Sequence, residues 1–195
     1  MHSNTQEAVE VKKNIVLCGV GGQGILTISK ILVNAAMKEE LNFKQAEVHG
    51  MSQRGGSVYA HLRLSDQPIY ASIIPIGKAD LVLSTEPLEA LKQAKFLAAG
   101  GKFISSSSKL PNIEYDEKLI LQEIERLNGK LVESKKIAIE AGNALMENIV
   151  LLGAASKAIG LSRKALKNSI REIFSSKGEK VIELNLKAFD LGLNA

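Results

Sequence analysis

The chain has little of what metal centres and nucleic-acid surfaces are made from. Its 195 residues include one cysteine, Cys18, no tryptophan and only 4% aromatic residues. A lone thiol forms no internal disulfide and cannot supply the four thiolates that an iron–sulfur cluster generally takes. Few aromatic platforms and a formal net charge of only +4 argue against nucleic-acid binding. Any redox centre is therefore expected to lie on another molecule.

Long apolar runs are missing as well. The longest, Ile149 to Ala155, is far shorter than the roughly 20 residues that cross a bilayer as a helix. The segment from Met1 to Glu10 is polar and lacks the apolar core of a signal peptide. We therefore expect a cytoplasmic protein with no membrane partner. With 45% apolar and 24% charged residues, its composition is typical of a folded globular chain.

The pattern near the start of the chain indicates the fold class. Residues 14–19 form a short apolar run typical of a buried strand, and glycines follow at once. From Ile25 to Met37 the apolar residues recur at helical spacing. A strand, a glycine turn and an amphipathic helix in this order open a doubly wound fold. We predict a Rossmann-like α/β fold with a mostly parallel sheet, an antiparallel hairpin and helices on both faces.

The rest of the chain continues this pattern. Alternation from Val58 to Leu64, with a return at residues 69–74, predicts the antiparallel hairpin with one solvated face. Four consecutive serines and a proline predict a surface loop at 105–112. Further strands are expected at 44–48, 79–84, 102–105 and 130–133, and helices at 87–97 and around 120–127.

The last quarter of the chain is predicted to be helical. Leu145, Ile149 and Leu152 are expected to share one buried face, and Ser162 is expected to cap a helix. Residues 1–12 are interpreted as a polar tail. Residues 13–195 are interpreted as a single α/β domain whose C-terminal part, about 140–195, is helical.

The first glycine-rich segment follows the predicted first strand. Gly19, Gly21 and Gly24 satisfy the spacing G-x-G-x-x-G, where glycines let an anion approach free N–H groups at a helix N-terminus. Ile25 and Leu26 stand where an NTPase needs its Lys and Ser or Thr, which excludes a P-loop. A dinucleotide site is not favoured, and tight strand-to-helix packing remains the alternative explanation for the three glycines.

A second glycine-rich segment contains Ser52, Arg54, Gly55, Gly56 and Ser57. A guanidinium flanked by flexible backbone and hydroxyls suits fork-like binding of phosphate or carboxylate. The alternative is a solvated turn with an exposed arginine. A serine nucleophile is not expected, because Arg54 replaces the closing glycine of a nucleophile elbow.

Other polar residues have simpler interpretations. His49 and His61 with Glu47 lack the spacing of a metal site. Glu86 either faces a ligand or caps the helix that begins near Pro87. Cys18, among apolar neighbours, is interpreted as a small hydrophobic residue.

Three segments in order resemble one family. Residues 19–24, 47–57 and 86–91 resemble the gamma-type domain of 2-oxoacid:ferredoxin oxidoreductases. The resemblance continues through 148–154 and 183–192 and covers nearly everything after the polar tail. There it is most similar to the small beta subunits of the indolepyruvate branch.

The resemblance implies a complex that oxidatively decarboxylates a 2-oxoacid to an acyl-coenzyme A and passes electrons to ferredoxin. For the indolepyruvate branch the implied substrates are aryl pyruvates. Thiamine diphosphate and 4Fe–4S clusters are implied on a larger partner subunit, and this chain would complete the coenzyme A side of the active site. Three alternatives remain open: a gamma subunit for pyruvate, 2-oxoglutarate or branched-chain 2-oxoacids, a free-standing nucleotide-binding module, and a purely structural subunit.

The candidate residues are those of the two glycine-rich segments. None is assigned as a general acid, a general base, a nucleophile or a metal ligand. The predicted set that faces coenzyme A or the partner is Gly19, Gly21, Gly22, Gln23, Gly24, Ser52, Arg54, Gly55, Gly56 and Ser57.

Overall fold

A computed structural model describes residues 12–49, 55–111 and 114–195. Of the predicted polar tail, only Lys12 falls within these ranges, and it begins the first strand. No helix in these ranges is long and apolar enough to cross a membrane. The strands are β1 (Lys12–Val20), β2 (Asn42–His49), β3 (Ser57–Ser65), β4 (Ala79–Ser84), β5 (Leu97–Ser106) and β6 (Lys130–Val132).

The strands form one sheet in the order β2-β3-β1-β4-β5-β6. Strand β1 pairs in parallel with β4, β4 with β5, and β5 with β6. Strand β3 lies between β2 and β1 and runs antiparallel to both. The prediction of a mostly parallel sheet with an antiparallel hairpin is therefore confirmed, and the hairpin consists of β2 and β3.

The predicted return strand at 69–74 is wrong. Both edges of β3 are already hydrogen-bonded to β1 and β2, so no edge remains for another strand. The chain after β3 instead crosses one face of the sheet, where Ile74 N–H donates to Nδ1 of His61 at 2.9 Å. His61 is only 2% exposed, so the face of β3 that was predicted to be solvated is covered.

The helices begin and end at recognisable signals. Gly24, with φ 79°, precedes the first helix, and the Ser162 hydroxyl caps the sixth by accepting a hydrogen bond from Ala165 N–H at 3.1 Å, as predicted. Short 3₁₀ turns lie at Ala94–Phe96, Ala144–Met146 and Ser175–Lys177. The helices are α1 (Ile25–Lys38), α2 (Pro87–Gln93), α3 (Glu117–Arg126), α4 (Ser134–Ala141), α5 (Glu147–Ile159), α6 (Arg163–Ile173) and α7 (Glu179–Gly192).

The two faces of the sheet are covered unequally. Helices α1 and α4–α7 cover what we call the thick face, and their buried Ile, Leu and Ala side chains form the larger apolar core. Helices α2 and α3, together with residues 66–78, cover the thin face over a smaller core around Val16, Val82 and Phe103. Helices on both faces confirm the predicted layers.

Helices α5 and α7 approach closely on the thick face. A Cβ added at Gly153 would lie 2.2 Å from the Phe189 carbonyl oxygen, and one at Gly192 would lie 2.1 Å from that of Val150. Leu145 was predicted to share one buried face with Ile149 and Leu152, and this prediction is wrong. Leu145 is 86% exposed, whereas Ile149 is fully buried. Leu145 lies in the 3₁₀ turn that precedes α5, where the spacing of an α-helix does not apply.

Candidate functional site

The loops that follow β1, β4 and β5 meet at one edge of the sheet. This is the carboxyl edge of the parallel strands, where ligands bind in open α/β sheets. The first loop is the glycine turn at 19–24, the second contains Thr85 and Glu86, and the third follows Ser106.

The glycine turn depends on backbone conformations that favour glycine. Gly22 has φ 102° and Gly24 has φ 79°. The carbonyl of Gly24 accepts hydrogen bonds from Thr27 N–H at 3.0 Å and Ile28 N–H at 3.1 Å, which begins α1. A Cβ at Gly22 would meet nothing within 4 Å. Gly22 is therefore required by its backbone conformation, and it leaves the surface of the turn open.

Gln23 and Gly19 hold the turn against β4. The Gln23 Oε1 accepts hydrogen bonds from Val20 N–H and the Thr85 hydroxyl, both at 2.9 Å, and its Nε2 donates to the Thr85 carbonyl at 3.1 Å. A Cβ on Gly19 would lie 2.0 Å from Thr85 Oγ1. Both residues were predicted to face a ligand or partner. The structure places Gly19 inside the sheet and engages the Gln23 amide in internal hydrogen bonds.

The second glycine-rich segment lies beside the first. Gly21 N–H donates to the Gly56 carbonyl at 2.9 Å, and Gly55 N–H donates to the Gly21 carbonyl at 3.4 Å. The Ser57 hydroxyl donates to Glu89 Oε2 at 2.5 Å, so it points to α2. The structure therefore brings Gly21, Gly55 and Gly56 together. Ser52 and Arg54 lie outside the described residues, and their role stays a prediction.

Two cavities flank the glycine turn. The helix-side cavity has a volume of about 600 Å³ and lies between the turn, α5 and α7. The strand-side cavity has a volume of about 450 Å³ and lies between the turn and β3. Gly22 and Gly24 line both. The helix-side cavity is also lined by Gln23, Thr27, Thr85, Leu110, Asn143–Asn148, Phe174, Lys177, Val181, Leu184 and Asn185, and the strand-side cavity by Val20, Gly21, Ile25, Leu26 and Val58.

Two helix N-termini meet at the helix-side cavity. Asn148, in the first turn of α5, donates from Nδ2 to the Gly24 carbonyl at the start of α1, at 3.2 Å. A Cβ on Gly24 would lie 2.4 Å from that nitrogen, so only glycine allows the contact. The first N–H groups of a helix have no intrahelical acceptor, and the helix dipole makes that end partly positive. The arrangement suits the anionic end of a ligand.

Two buried carboxylates organise the loops beside the turn. Glu86 is fully buried and caps α2 by accepting from Glu89 N–H at 2.9 Å, which decides between the two interpretations of this residue. Its other oxygen accepts from the Tyr115 hydroxyl at 2.6 Å. Burial, and then this bond, raise the pKa of Tyr115, which keeps the phenol protonated. Glu89, 3% exposed, also pairs with Lys92.

A serine pair supports Glu147 at the wall of the helix-side cavity. Glu147 Oε1 accepts from the Ser106 hydroxyl at 2.9 Å and the Ser134 hydroxyl at 2.8 Å. The surface loop predicted at 105–112 is wrong at its start, because Ser105 and Ser106 are fully buried. They extend β5 and pair with Leu131 and Val132 of β6. Serine-rich composition did not reveal this pairing.

Cys18 and His61 are both buried on the thin face. Burial raises the pKa of the Cys18 thiol to about 12, so it stays protonated and unreactive at neutral pH. Burial lowers the pKa of His61, which keeps the imidazole neutral. In the part of the chain that the structure describes, no group of three or more His, Cys, Asp or Glu is placed to hold a metal ion.

Comparison with known proteins gives consistent matches along the chain. The model of the pyruvate ferredoxin/flavodoxin oxidoreductase family matches residues 14–195. Indolepyruvate oxidoreductase subunit IorB of Pyrococcus horikoshii is 43% identical over 93% of this chain and 95% of its own length.

Solved structures share the fold. A keto/oxoacid ferredoxin oxidoreductase gamma subunit from Geobacter sulfurreducens matches with a TM-score of 0.68 at 25% identity, covering 93% of this chain and 96% of its own. The 2-oxoglutarate:ferredoxin oxidoreductase of Magnetococcus marinus, solved with 2-oxoglutarate, coenzyme A and succinyl-CoA, matches with a TM-score of 0.75 at 23% identity. The match covers 94% of this chain and 30% of that longer one.

Proposed function

This chain belongs to the pyruvate ferredoxin/flavodoxin oxidoreductase family, and on that premise we propose that it is the small subunit of an indolepyruvate-type 2-oxoacid:ferredoxin oxidoreductase. The observation that carries the proposal is the 43% identity to an indolepyruvate oxidoreductase subunit over nearly the whole of both chains. In this proposal the complex decarboxylates an aryl 2-oxoacid oxidatively, forms an acyl-coenzyme A and reduces ferredoxin.

The redox groups of the complex are assigned to a larger partner subunit. The only cysteine, Cys18, is buried, whereas a 4Fe–4S cluster generally needs four thiolates. Bound on the partner, thiamine diphosphate would supply the electron sink for decarboxylation, and the clusters would supply the path to ferredoxin. In this proposal the chain binds and orients coenzyme A, which is the third substrate beside the 2-oxoacid and ferredoxin.

Coenzyme A fits the site as that third substrate. Its phosphates match the open glycine turn and the converging N-termini of α1 and α5. The cavities of about 600 and 450 Å³ fall within the range of about 300–1,000 Å³ that small-molecule sites occupy. The Magnetococcus protein, which shares this fold, was solved with coenzyme A bound.

We also propose that Arg54 adds a positive charge beside the turn. It lies two residues before Gly56, whose carbonyl accepts from Gly21 N–H. In the assembled complex, Arg54→Ala should raise the KM for coenzyme A and leave the KM for the 2-oxoacid within twofold. An unchanged KM for coenzyme A would remove Arg54 from the site.

The function is tested by reconstituting the complex. The chain is co-expressed with its large subunit, and viologen reduction is measured with indolepyruvate, phenylpyruvate, pyruvate and 2-oxoglutarate, with and without coenzyme A. We expect coenzyme A-dependent turnover with kcat/KM for the aryl pyruvates at least tenfold above the others, and none with either subunit alone. A preference for pyruvate or 2-oxoglutarate would place the chain in another branch of the family, and turnover by this chain alone would contradict the proposal.

A further inference from the structure

We propose that residues 70–76, which we call the thin-face patch, are a docking surface for the large subunit, and that the matching surface of that subunit is apolar with carboxylates around it. This inference rests on the proposed function and adds to it where the partner binds. The patch belongs to the connection between β3 and β4, which takes no part in the glycine turn or its cavities.

The connection is much longer than the topology requires. Strand β1 lies between β3 and β4, so the two strands are about 10 Å apart. The end of β3, Ser65, pairs with Lys12 at the start of β1. Leu81, near the start of β4, pairs with Ile15. Both ends of the connection therefore lie at the same edge of the sheet, opposite the candidate site, and about four extended residues would join them.

The chain uses the 13 residues 66–78 for this step, and they contain no helix or strand. Connections of about 12 or more residues without secondary structure are uncommon in compact domains and are usually functional. The additional residues cross the thin face, where they build a surface that the fold does not need for closing the sheet.

That surface is apolar. Tyr70 is 90% exposed, Ile73 54% and Ile76 68%, and Ala71 and Pro75 are exposed as well. Single exposed apolar residues are normal on a protein, whereas a contiguous apolar patch is typical of an interaction surface. Tyrosine is also enriched among the residues that contribute most to binding energy at protein interfaces.

Internal contacts hold the patch in one conformation. Ile74 is fully buried, and its N–H donates to Nδ1 of His61 at 2.9 Å. Arg63 Nη1 donates to the Ala71 carbonyl at 2.9 Å. A surface that is already ordered loses less conformational entropy when a partner binds. The thin-face patch is therefore prepared for binding.

Cationic side chains surround the patch. Lys78 follows it directly, and the carbonyl of Lys95 accepts from Gly77 N–H at 3.0 Å. Beside it on the sheet, Lys44 of β2 is paired with Arg63 of β3. The three lysines are exposed. Two carboxylates flank the patch in the chain, so the cations outnumber the anions: Lys44, Arg63, Lys78 and Lys95 against Asp66 and Asp80.

This charge favours a different protein over a second copy as the partner. A twofold contact of the patch with itself would bring the lysines of one copy near those of the other. Like charges that face each other destabilise a complex, whereas opposite charges around an apolar centre stabilise it. The partner surface is therefore apolar with carboxylates at its rim. The large subunit is the partner that the proposed function requires.

The patch is continuous with the glycine-rich segments. Tyr59, two residues from His61 along β3, lies on the same face, with the two ring centroids 5.6 Å apart. Tyr59 pairs with Val48 of β2, which is 40% exposed. Gly55 and Gly56 directly precede β3 at the carboxyl edge. A subunit docked on the patch can therefore extend along the thin face to the candidate site.

The first test changes one exposed isoleucine. Ile73→Lys is compared with Ile139→Lys on α4 of the thick face, because the two residues are 54% and 59% exposed. The large subunit is titrated with each variant, and viologen reduction gives the chain concentration at half-maximal turnover. We expect Ile73→Lys to raise that concentration at least tenfold and Ile139→Lys to change it less than twofold.

A docking role also predicts what stays constant. With saturating Ile73→Lys chain, kcat and the KM for coenzyme A should remain within twofold of wild type, because the patch lines neither cavity. Equal effects of the two isoleucine variants, or a change in the KM for coenzyme A alone, would overturn the proposal. If Ile73→Lys fails to fold, Tyr70→Lys decides, since Tyr70 is almost fully exposed.

The second test reverses one charge. Lys78→Glu is compared with Lys180→Glu on α7, and both lysines are exposed. At low salt we expect Lys78→Glu to raise the half-maximal concentration at least fivefold and Lys180→Glu to change it less than twofold. In about 1 M salt, where the Debye length is about 3 Å, the difference should fall below twofold. Equal effects at low salt would overturn the acidic character of the partner surface.

Amide hydrogen exchange of residues 66–78 separates the other occupants. We expect exchange in this segment to slow when the large subunit is added. Protection already present in the isolated chain would overturn the proposal: in a dimer it would show a second copy on the patch, and in a monomer another segment of the same chain. Wild-type subunits that assemble without coenzyme A-dependent turnover would instead contradict the proposed function, and the assembly measurements would still decide the docking surface.

Discussion

The thick and thin faces of the sheet bury different kinds of side chain. The thick face is covered by five helices that bury mostly Ile, Leu, Val and Ala, with Phe189 at the α5–α7 contact. The same helices also bury small neutral polar side chains, those of Ser29, Ser134, Asn148, Ser156, Ser169 and Asn185. The thin face has a small apolar core and buries the polar groups of His61, Glu86 and Glu89. The two faces therefore differ in which polar groups they bury: ionisable side chains that hydrogen-bond to loops on the thin face, and neutral hydroxyls and amides within a larger apolar core on the thick face. The candidate site lies at the carboxyl edge of the strands, where the helices of the thick face meet the hydrogen-bonded loops of the thin face.

Replacing a phenylalanine by alanine should give the largest difference in stability loss between the two faces. Phe189→Ala removes a fully buried ring from the thick face, and we expect the free energy of unfolding to fall by about 3–5 kcal/mol. Phe96→Ala on the thin face removes a partly buried ring, and we expect less than half of that loss. Urea unfolding followed by circular dichroism measures both. Equal losses would show that the thin face is packed as firmly as the thick one.

Adding one methyl group tests the α5–α7 contact. In an exposed helix Gly→Ala stabilises by about 1 kcal/mol. At Gly153, however, the new Cβ would lie 2.2 Å from the Phe189 carbonyl and would force the helices apart. We expect Gly153→Ala to lower the free energy of unfolding by about 1–3 kcal/mol.

The matched control for Gly153→Ala is the reverse change on the same helix. Ala158→Gly should cost about 1 kcal/mol by helix propensity, together with a small loss of contact, because Ala158 packs partly against the larger core. A Gly153→Ala variant more stable than wild type would mean that α5 and α7 are not in close contact in solution.

Removing one hydroxyl tests the polar network of the thin face. Ser57→Ala leaves Glu89 Oε2 without the hydrogen bond that it accepts at 2.5 Å. Because Glu89 is buried and charged, we expect a loss of about 1–2 kcal/mol in the free energy of unfolding. Ser175→Ala, an exposed serine that donates to the Glu172 carbonyl, serves as the control with a loss below about 0.5 kcal/mol. Equal losses would contradict a special role for Glu89.

The pH dependence should come from the thin face, although we expect this effect to be the smallest. Burial lowers the pKa of His61 below 6.5, so the unfolded chain binds a proton more readily than the folded one. Stability is therefore expected to fall as the pH drops below about 6.5 and on through the lower folded pKa. In His61→Asn, an amide oxygen replaces Nδ1 as the acceptor for Ile74 N–H, so this part of the pH dependence should vanish.

Urea midpoints at pH 7.5 and pH 5.5 in both proteins measure the pH effect, and the variant separates His61 from the other histidines. A wild-type midpoint that falls no further than that of the variant would show that His61 does not couple folding to protonation.

Sequence alone predicted the elements whose signals are local. Apolar runs predicted β1 and β4, which are buried on both faces, and helical spacing from Ile25 predicted α1. Ser162 capped α6 as its residue type predicts. In contrast, the partner of β3 was predicted wrongly, because hairpin pairing was assigned to the nearest following segment while β1 and β2 occupy both edges of β3.

The candidate site shows the same division. Glycine spacing located the turn that follows β1, because positive φ angles are a local requirement at Gly22 and Gly24. It did not reveal that Gln23 is bonded to Thr85, 62 residues later, or that Asn148 reaches Gly24 from α5. These contacts join distant segments, and neither partner carries a distinctive spacing. A polar residue at the first turn of α5 was the only available hint.

What the sequence by itself determined is the order of most strands, turns and helices, without the helix at Ser134–Ala141 and with a strand wrongly expected at 69–74, and through three ordered segments the family. Local backbone preference and hydrophobic periodicity are properties of neighbouring residues, so they can be inferred without the fold. The tertiary structure decided which glycines line a cavity and which pack inside the sheet. It also decided that α5 and α7 line the helix-side cavity. Those outcomes depend on contacts between residues that are distant in the chain, and such contacts cannot be inferred from local sequence spacing.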